Sequence, residues 1–304
     1  MGSEPTLAWE ARQRPRAALA AVLASLLILG SYIAEAVLLS DSPLASVLPS
    51  IASAGQPGPA GEAQSLTVPR YEYLSDRSAG LIAAYVARAI GFLLMGLALT
   101  VLAFATRARL PLSRPALYLP LVGGGLLAIG NLVAPVGTVI AVNEFLDGPR
   151  TVDAAADVGS SALTAAASLI EFFGRVAIAG AFILVCLNAM RAGLLTRFMG
   201  VLGILCGPLF VVQIASPLPV VQSFWLAAFA WLMLGRWPGG DPPAWRTGEA
   251  VPWPTQQELR EARESREPAR REREPKVKPA SEPAAVAAGS AHSASKKKKR
   301  KRRG

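Results

Sequence analysis

Four ionisable side chains interrupt long apolar segments of this 304-residue chain: Glu35, Arg88, Glu171 and Arg175. A charge buried among apolar groups is costly unless it is paired, so such residues are expected to serve a purpose. Glu171 and Arg175 are four residues apart with the acid first, which favours an ion pair along one helix. Glu35 and Arg88 lie on consecutive apolar segments, and antiparallel packing would bring their side chains within reach. The four charges sum to zero.

A polar stripe runs along the fourth apolar segment. Its members recur at steps of three and four residues and are Asp157, Ser161, Thr164, Ser168, Glu171 and Arg175. This spacing places them on one face of a helix, and a polar face at membrane depth must contact protein or water rather than lipid. Adding an amide from the third segment, we predict one polar network of Glu35, Arg88, Asn131, Ser168, Glu171 and Arg175.

The network has two interpretations. In the first, the stripe lines an outward-open polar vestibule formed by the first, second and fourth segments. In the second, Ser and Thr permit close helix packing, and the ion pairs hold the helices together. The packing seam is favoured, because unpaired acids would suit ion transfer better than a neutralised set.

The residue types argue against catalytic and metal chemistry. The single histidine, His292, follows the last apolar segment, so that region has no His for a proton relay, a metal ligand or a Ser-His-Asp triad. Cys186 and Cys206 both lie in apolar segments and are predicted to be small buried side chains, not a disulfide. We predict no catalytic residue, no metal site, no cofactor and no enzymatic activity.

The elements that position these residues follow from hydropathy. Hydrophobic residues make up 52% of the chain, which is too many for a soluble protein of this length. About 20 apolar residues are needed to cross roughly 30 Å of hydrocarbon. Six runs qualify, at 17–39, 79–105, 116–142, 165–190, 196–214 and 219–235. The sequence predicts an all-α polytopic membrane protein, with a six-helix bundle over 17–236 after an N-terminal segment of residues 1–16.

Arginines in the short loops predict the orientation of this bundle. One set of loops holds eight: Arg12, Arg14, Arg16, Arg107, Arg109, Arg114, Arg191 and Arg197. The opposite set holds three, Arg70, Arg77 and Arg150. We expect the bundle to lie in the cell inner (plasma) membrane. Because cytoplasmic loops carry the excess of basic residues, both termini should face the cytoplasm. The four charges within the bundle then lie in its outer half.

Residues 237–304 differ in composition from the bundle and are predicted to form a disordered cytoplasmic tail. The tail ends in eight consecutive basic residues: Lys296, Lys297, Lys298, Lys299, Arg300, Lys301, Arg302 and Arg303. Near an anionic leaflet each basic residue contributes about 1 kcal/mol, so anionic lipid headgroups are the expected partner. Nucleic acid is a weaker candidate, because no aromatic residue within the run could stack on bases. A solvated tail without a specific partner is the other alternative.

The pattern of spans, the long loop before the second span and one turn together carry a family resemblance. The sequence Met190-Arg191-Ala192-Gly193-Leu194-Leu195-Thr196-Arg197, followed by Gly200 and Gly203, resembles uncharacterised bacterial multi-pass families classed as domains of unknown function. The resemblance covers about residues 15–236. It implies a six-helix bundle of unknown activity and gives no catalytic residue.

Two classes of function follow. The preferred one is a non-enzymatic scaffold or sensor-like bundle in the lipid bilayer, whose polybasic tail binds anionic lipid. The alternative is a small transporter or solute-binding bundle that uses the outward polar face on the first, second and fourth helices. The sequence does not determine the oligomeric state.

Overall fold

The computed structural model describes residues 3–43, 65–212, 218–238 and 240–253. Across these ranges the regular structure is helical and contains no strand, which confirms the all-α prediction there. The helices are α1 Ser3–Leu38, α2 Val68–Asp76, α3 Ser78–Arg107, α4 Arg114–Asp147, α5 Val152–Ser160, α6 Ala162–Arg191, α7 Arg197–Val211, α8 Val220–Met233 and α9 Ala244–Thr247. The predicted basic run 296–303 lies outside the described residues.

Six of the helices form a closed ring. Its order is α1, α3, α4, α6, α7 and α8, each packed on the next, with α8 returning to α1 and with α3 touching α6 across the ring. Neighbours run antiparallel. We call residues 240–253 the strap, and the end of the ring where they pack, beside the beginning of α1, the strap end. The opposite end, where α1 finishes at Leu38, is the far end.

Four of the helices are long and apolar enough to cross a membrane: α1, α3, α4 and α6. The other two ring helices are shorter than the predicted runs 196–214 and 219–235. At 1.5 Å per residue, the 15 residues of α7 and the 14 of α8 extend about 21–22 Å, less than roughly 30 Å of hydrocarbon. Large apolar side chains cover the outer surfaces, among them Leu26 on α1, Ile129 on α4 and Phe173 on α6.

The first helix begins earlier than the predicted boundary at residue 17. It starts at Ser3 and continues through Pro15. This extension carries Glu10 to the strap end, where its side chain is 2% exposed and pairs with the fully buried Arg109. Residues 3–16 of the predicted N-terminal segment are therefore part of α1 and of the ring wall.

The interpretation of residues 237–304 as a disordered tail is wrong for the strap. Trp245 and Trp253 donate indole hydrogen bonds of 2.8 Å to the carbonyls of Leu194 and Leu195, in the turn between α6 and α7. The backbone N–H of Val251 donates to the carbonyl of Ala192 at 3.1 Å. Two indole rings give this segment apolar surface to bury, although half of its residues are polar or Pro.

Aromatic side chains fill the ring towards the strap end. The Trp225 ring lies 5.0 Å from Phe182 and 5.1 Å from Phe229, between ring centroids. Its indole N–H donates to the carbonyl of Met199 at 2.9 Å. These side chains are fully buried, so this half of the ring is a packed core.

Glycines allow the central helices to approach closely. A Cβ at Gly124 on α4 would lie 2.7 Å from the carbonyl oxygen of Phe92 and 3.0 Å from the Cα of Gly96, both on α3. A Cβ at the next residue, Gly125, would meet nothing within 4 Å. The spacing between α3 and α4 thus depends on one glycine of the Gly123-Gly124-Gly125 run, and its neighbour is a matched control.

We predict opposite effects of alanine at these two positions. Gly124→Ala forces two backbones apart and should lower the free energy of unfolding by about 1–3 kcal/mol. Gly125→Ala adds helix propensity without a clash and should raise it by up to about 1 kcal/mol. Thermal unfolding of the purified protein in dodecyl maltoside measures both. Equal destabilisation by the two variants would contradict this description of the α3–α4 contact.

Candidate functional site

A cavity of about 800 Å³ lies inside the ring towards the far end. All six ring helices line it. The predicted network residues that line this cavity are Glu35, Arg88, Asn131, Ser168, Glu171 and Arg175. The structure therefore brings all six to one site, from α1, α3, α4 and α6. The two ion pairs expected from the sequence are both present.

Arg88 is enclosed on every side. Its side chain is 5% exposed and pairs through Nη2 with Glu35, while Nε donates to the hydroxyl of Ser31 at 3.3 Å. The guanidinium lies 3.7 Å from the ring centroid of Tyr32 and 4.7 Å from that of Tyr85. Tyr85 also donates to Glu35 at 3.1 Å. This arrangement ties α1 to α3, and it engages two of the three guanidinium nitrogens of Arg88, Nε and Nη2.

Glu171 and Arg175 form a more open pair on α6. Nη2 of Arg175 lies 3.0 Å from Oε2 of Glu171, and the two side chains are 35% and 17% exposed. Within the described residues this is the one hydrogen bond that either side chain makes. Each group therefore keeps hydrogen-bonding capacity towards the cavity.

Gly130 makes room for Glu171. A Cβ at Gly130 would collide with the Cγ of Glu171, so only glycine allows α4 to pass this side chain. On the other side of the same contact, a Cβ at Gly174 would lie 2.8 Å from the backbone nitrogen of Leu127. These glycines allow α4 and α6 to approach closely beside the start of the Glu171 side chain.

Two buried amides line the cavity beside the charged groups. Asn131 is 4% exposed and donates through Nδ2 to the carbonyl of Leu127 at 2.9 Å. Pro135 has no backbone N–H, so the carbonyl of Asn131 lacks its usual helical donor. Gln222, in the first turn of α8, is 7% exposed and also lines the cavity. Carbonyl and amide groups are thus available next to the ion pairs.

Apolar side chains form much of the remaining wall. They include Phe92, Leu127, Leu209 and Phe210. A concave site with apolar walls and a few convergent polar groups is typical of small-molecule binding.

The outer part of the predicted stripe lies elsewhere. The chain breaks between α5 and α6 at Ser161, whose hydroxyl accepts the N–H of Thr164 at 3.3 Å and caps α6. Asp157 belongs to α5. The step pattern therefore spans a helix boundary, and only its last three members face the cavity: Ser168, Glu171 and Arg175.

Sequence reasoning missed several groups around the site. Tyr32, Tyr85 and Gln222 are uncharged, and single polar residues of this kind give no clear signal within an apolar run. Tyr32 and Tyr85 matter through their contacts with Arg88 and Glu35 on the neighbouring helix, and Gln222 through its place in the cavity lining.

The described residues hold no group of three or more His, Cys, Asp or Glu side chains that could bind a metal. Cys186 and Cys206 are both free and buried, away from the cavity lining. The cavity therefore offers ionic, hydrogen-bonding and apolar contacts.

No family model, curated protein or solved structure matches this chain. The resemblance to uncharacterised bacterial multi-pass families stays a prediction that depends on the turn from Met190 to Arg197.

The Glu35–Arg88 pair generates a prediction about stability. Glu35→Gln leaves a buried guanidinium uncompensated and should cost about 3 kcal/mol of unfolding free energy, whereas the double variant Glu35→Gln/Arg88→Gln should cost less. The matched control is Glu72→Gln, because Glu72 is 53% exposed and pairs with Arg150 at the surface. That exposed pair should contribute at most about 1 kcal/mol.

Thermal unfolding in dodecyl maltoside compares the three variants. A double variant less stable than Glu35→Gln, or a Glu72→Gln loss as large as that of Glu35→Gln, would show that burial of the Arg88 charge is not the cause.

Proposed function

We propose that this chain is a polytopic membrane protein that binds a small solute in the cavity, as a transporter or a solute-binding bundle. One observation supports the proposal above all: a single cavity gathers two carboxylates and two guanidinium groups, from α1, α3 and α6, together with two buried amides. A seam of packed helices would not need a cavity of about 800 Å³. Each of the two earlier interpretations then describes one ion pair. Glu35–Arg88 joins two helices, as in the packing seam, and Glu171–Arg175 faces the cavity, as in the vestibule.

We further propose that all six ring helices lie in the membrane, with α7 and α8 as a short hairpin. Antiparallel packing sets Gly200 of α7 beside Met190 and Gly207 beside Ala179, so α7 ends near the level of Arg175. From there α6 continues 13 residues, about 20 Å, to Ala162. Non-helical backbone at membrane depth is tolerated where it lines a water-filled cavity, and Val212 and Leu218 both line this one.

The proposed orientation sets both termini in the cytoplasm and opens the far end to the outside. The eight-to-three arginine asymmetry supports it. Antiparallel passage through an even number of ring helices also leaves both termini on one side.

The scaffold interpretation depends on the basic run 296–303, which lies outside the described residues. Its attraction to anionic headgroups stays a proposal based on charge alone. The cavity, in contrast, is built from named contacts, and for this reason solute binding is now preferred over the scaffold.

Topology is testable by cysteine labelling in a Cys186→Ala/Cys206→Ala background. In intact cells an impermeant maleimide should label Asp153→Cys at the far end and Ala134→Cys in the cavity. Glu249→Cys in the strap should react only after permeabilisation, and Val136→Cys, exposed on the outer face of α4, should stay unlabelled in lipid.

Labelling of Glu249→Cys in intact cells would contradict the orientation. An unreactive Ala134→Cys alongside a reactive Asp153→Cys would contradict a water-filled cavity.

Solute binding is testable by thermal unfolding with a panel of small cations, anions, zwitterions and neutral solutes. A bound solute at 100 times its Kd stabilises the folded state by about 2.7 kcal/mol. Ala134→Trp fills the cavity and should abolish the stabilisation. Val136→Trp, on the same helix but outside the cavity, should preserve it. The proposal fails if no solute stabilises the protein, or if Ala134→Trp leaves the effect intact.

A further inference from the structure

We infer that the ligand of this cavity is a small zwitterion that carries an apolar substituent and is recognised by the Glu171–Arg175 pair. The inference rests on the proposed solute-binding function and names the class of solute. Three features of the cavity support it: its charge balance, the unequal saturation of its two ion pairs, and its apolar wall.

The charge balance limits the net charge of a ligand. The cavity holds two carboxylates and two guanidinium groups, and each carboxylate is paired with a guanidinium. A singly charged ligand would bring an uncompensated charge into an apolar surrounding, which is strongly unfavourable. A zwitterion adds no net charge and can still make charge-assisted hydrogen bonds.

The two ion pairs differ in the hydrogen-bonding groups that they leave free for a ligand. The guanidinium of Arg88 stacks on the ring of Tyr32 and donates hydrogen bonds to Ser31 and Glu35. The hydroxyl of Tyr85 donates to the other carboxylate oxygen of Glu35. Among the described residues, this pair leaves Nη1 as the one guanidinium nitrogen without a hydrogen bond, so it is more fully bonded than the pair on α6 and serves as structure.

The pair on α6 is open. Among the described residues, Arg175 uses Nη2 and Glu171 uses Oε2, both on each other. Nε and Nη1 of Arg175 suit a ligand carboxylate or phosphate, and Oε1 of Glu171 suits an ammonium group. Because donor and acceptor sit one helical turn apart on α6, a molecule with both charges close together can reach both at once.

The rest of the cavity explains the apolar substituent. Phe92, Leu127 and Phe210 present apolar surface, and the amides of Asn131 and Gln222 add neutral hydrogen-bonding groups. The volume of about 800 Å³ accommodates a ligand considerably larger than the charged head alone.

The test compares three indole compounds of nearly equal size: tryptophan is a zwitterion, tryptophanamide a cation and indole-3-propionate an anion. Calorimetric titration of the full-length protein in dodecyl maltoside, an uncharged detergent, should give tryptophan an affinity at least about tenfold above the other two. The unmodified protein supplies this readout, so it does not depend on any variant folding.

Two variants should then switch the preference. Arg175→Gln leaves Glu171 as the free charge and should favour tryptophanamide, while Glu171→Gln leaves Arg175 and should favour indole-3-propionate. Glu144→Gln removes an exposed carboxylate of α4 outside the cavity and should keep the preference for tryptophan. A merely structural pair would weaken all three ligands together.

A zwitterionic lipid headgroup has the same chemistry, so sn-glycero-3-phosphocholine is the fourth probe. Tighter binding of this probe than of tryptophan would support the zwitterion and identify a lipid as its source. Equal affinities for the three indole compounds, or a preference for a singly charged one, would overturn the inference and leave solute binding intact. Failure of every solute in the panel would instead overturn the proposed function.

Discussion

A guanidinium surrounded by apolar helices must be neutralised where it lies, and this constraint organises the ring. Arg88 within α3 and Arg109 just after it each pair with a glutamate of α1, Glu35 and Glu10 respectively. Both arginines are buried, so either pair broken alone would leave a costly charge. The two ion pairs are more than twenty residues apart along both segments of the chain. Together they therefore fix the position and the rotation of α1 against α3.

The ring is solid at one end and hollow at the other, and helix length accounts for the difference. Near the strap end, the stacked rings of Trp225 and Phe229 on α8 pack with Phe182 of α6 in a fully buried cluster. Towards the far end, α7 has already finished at Val211 and α8 begins only at Val220. The four long helices continue beyond them, and the polar cavity occupies the level at which the two short helices stop.

Local patterns predicted the long helices and the α6 ion pair well. Hydropathy located α3, α4 and α6 to within a few residues, and the spacing of Glu171 and Arg175 sufficed for their pairing. Apart from the Glu35–Arg88 pair, contacts between distant segments were not visible in such patterns. Glu10 looks like one charge in a polar N-terminal segment until α3 brings Arg109 beside it, and Trp245 looks like part of a polar tail until it reaches the carbonyl of Leu194.

The strap has a consequence for biosynthesis. Arg14 lies near the start of the chain, yet its partners are the carbonyls of Leu232 and Met233 and the carboxylate of Asp241. Arg109 similarly donates a hydrogen bond to the carbonyl of Ala244. The first helix to leave the ribosome therefore gains the partners of its arginine only when residues more than 200 positions later in the chain have been made. The ring can close fully only after residue 241 has been synthesised, and a chain stalled before that residue would present an open bundle to the quality-control machinery of the cell.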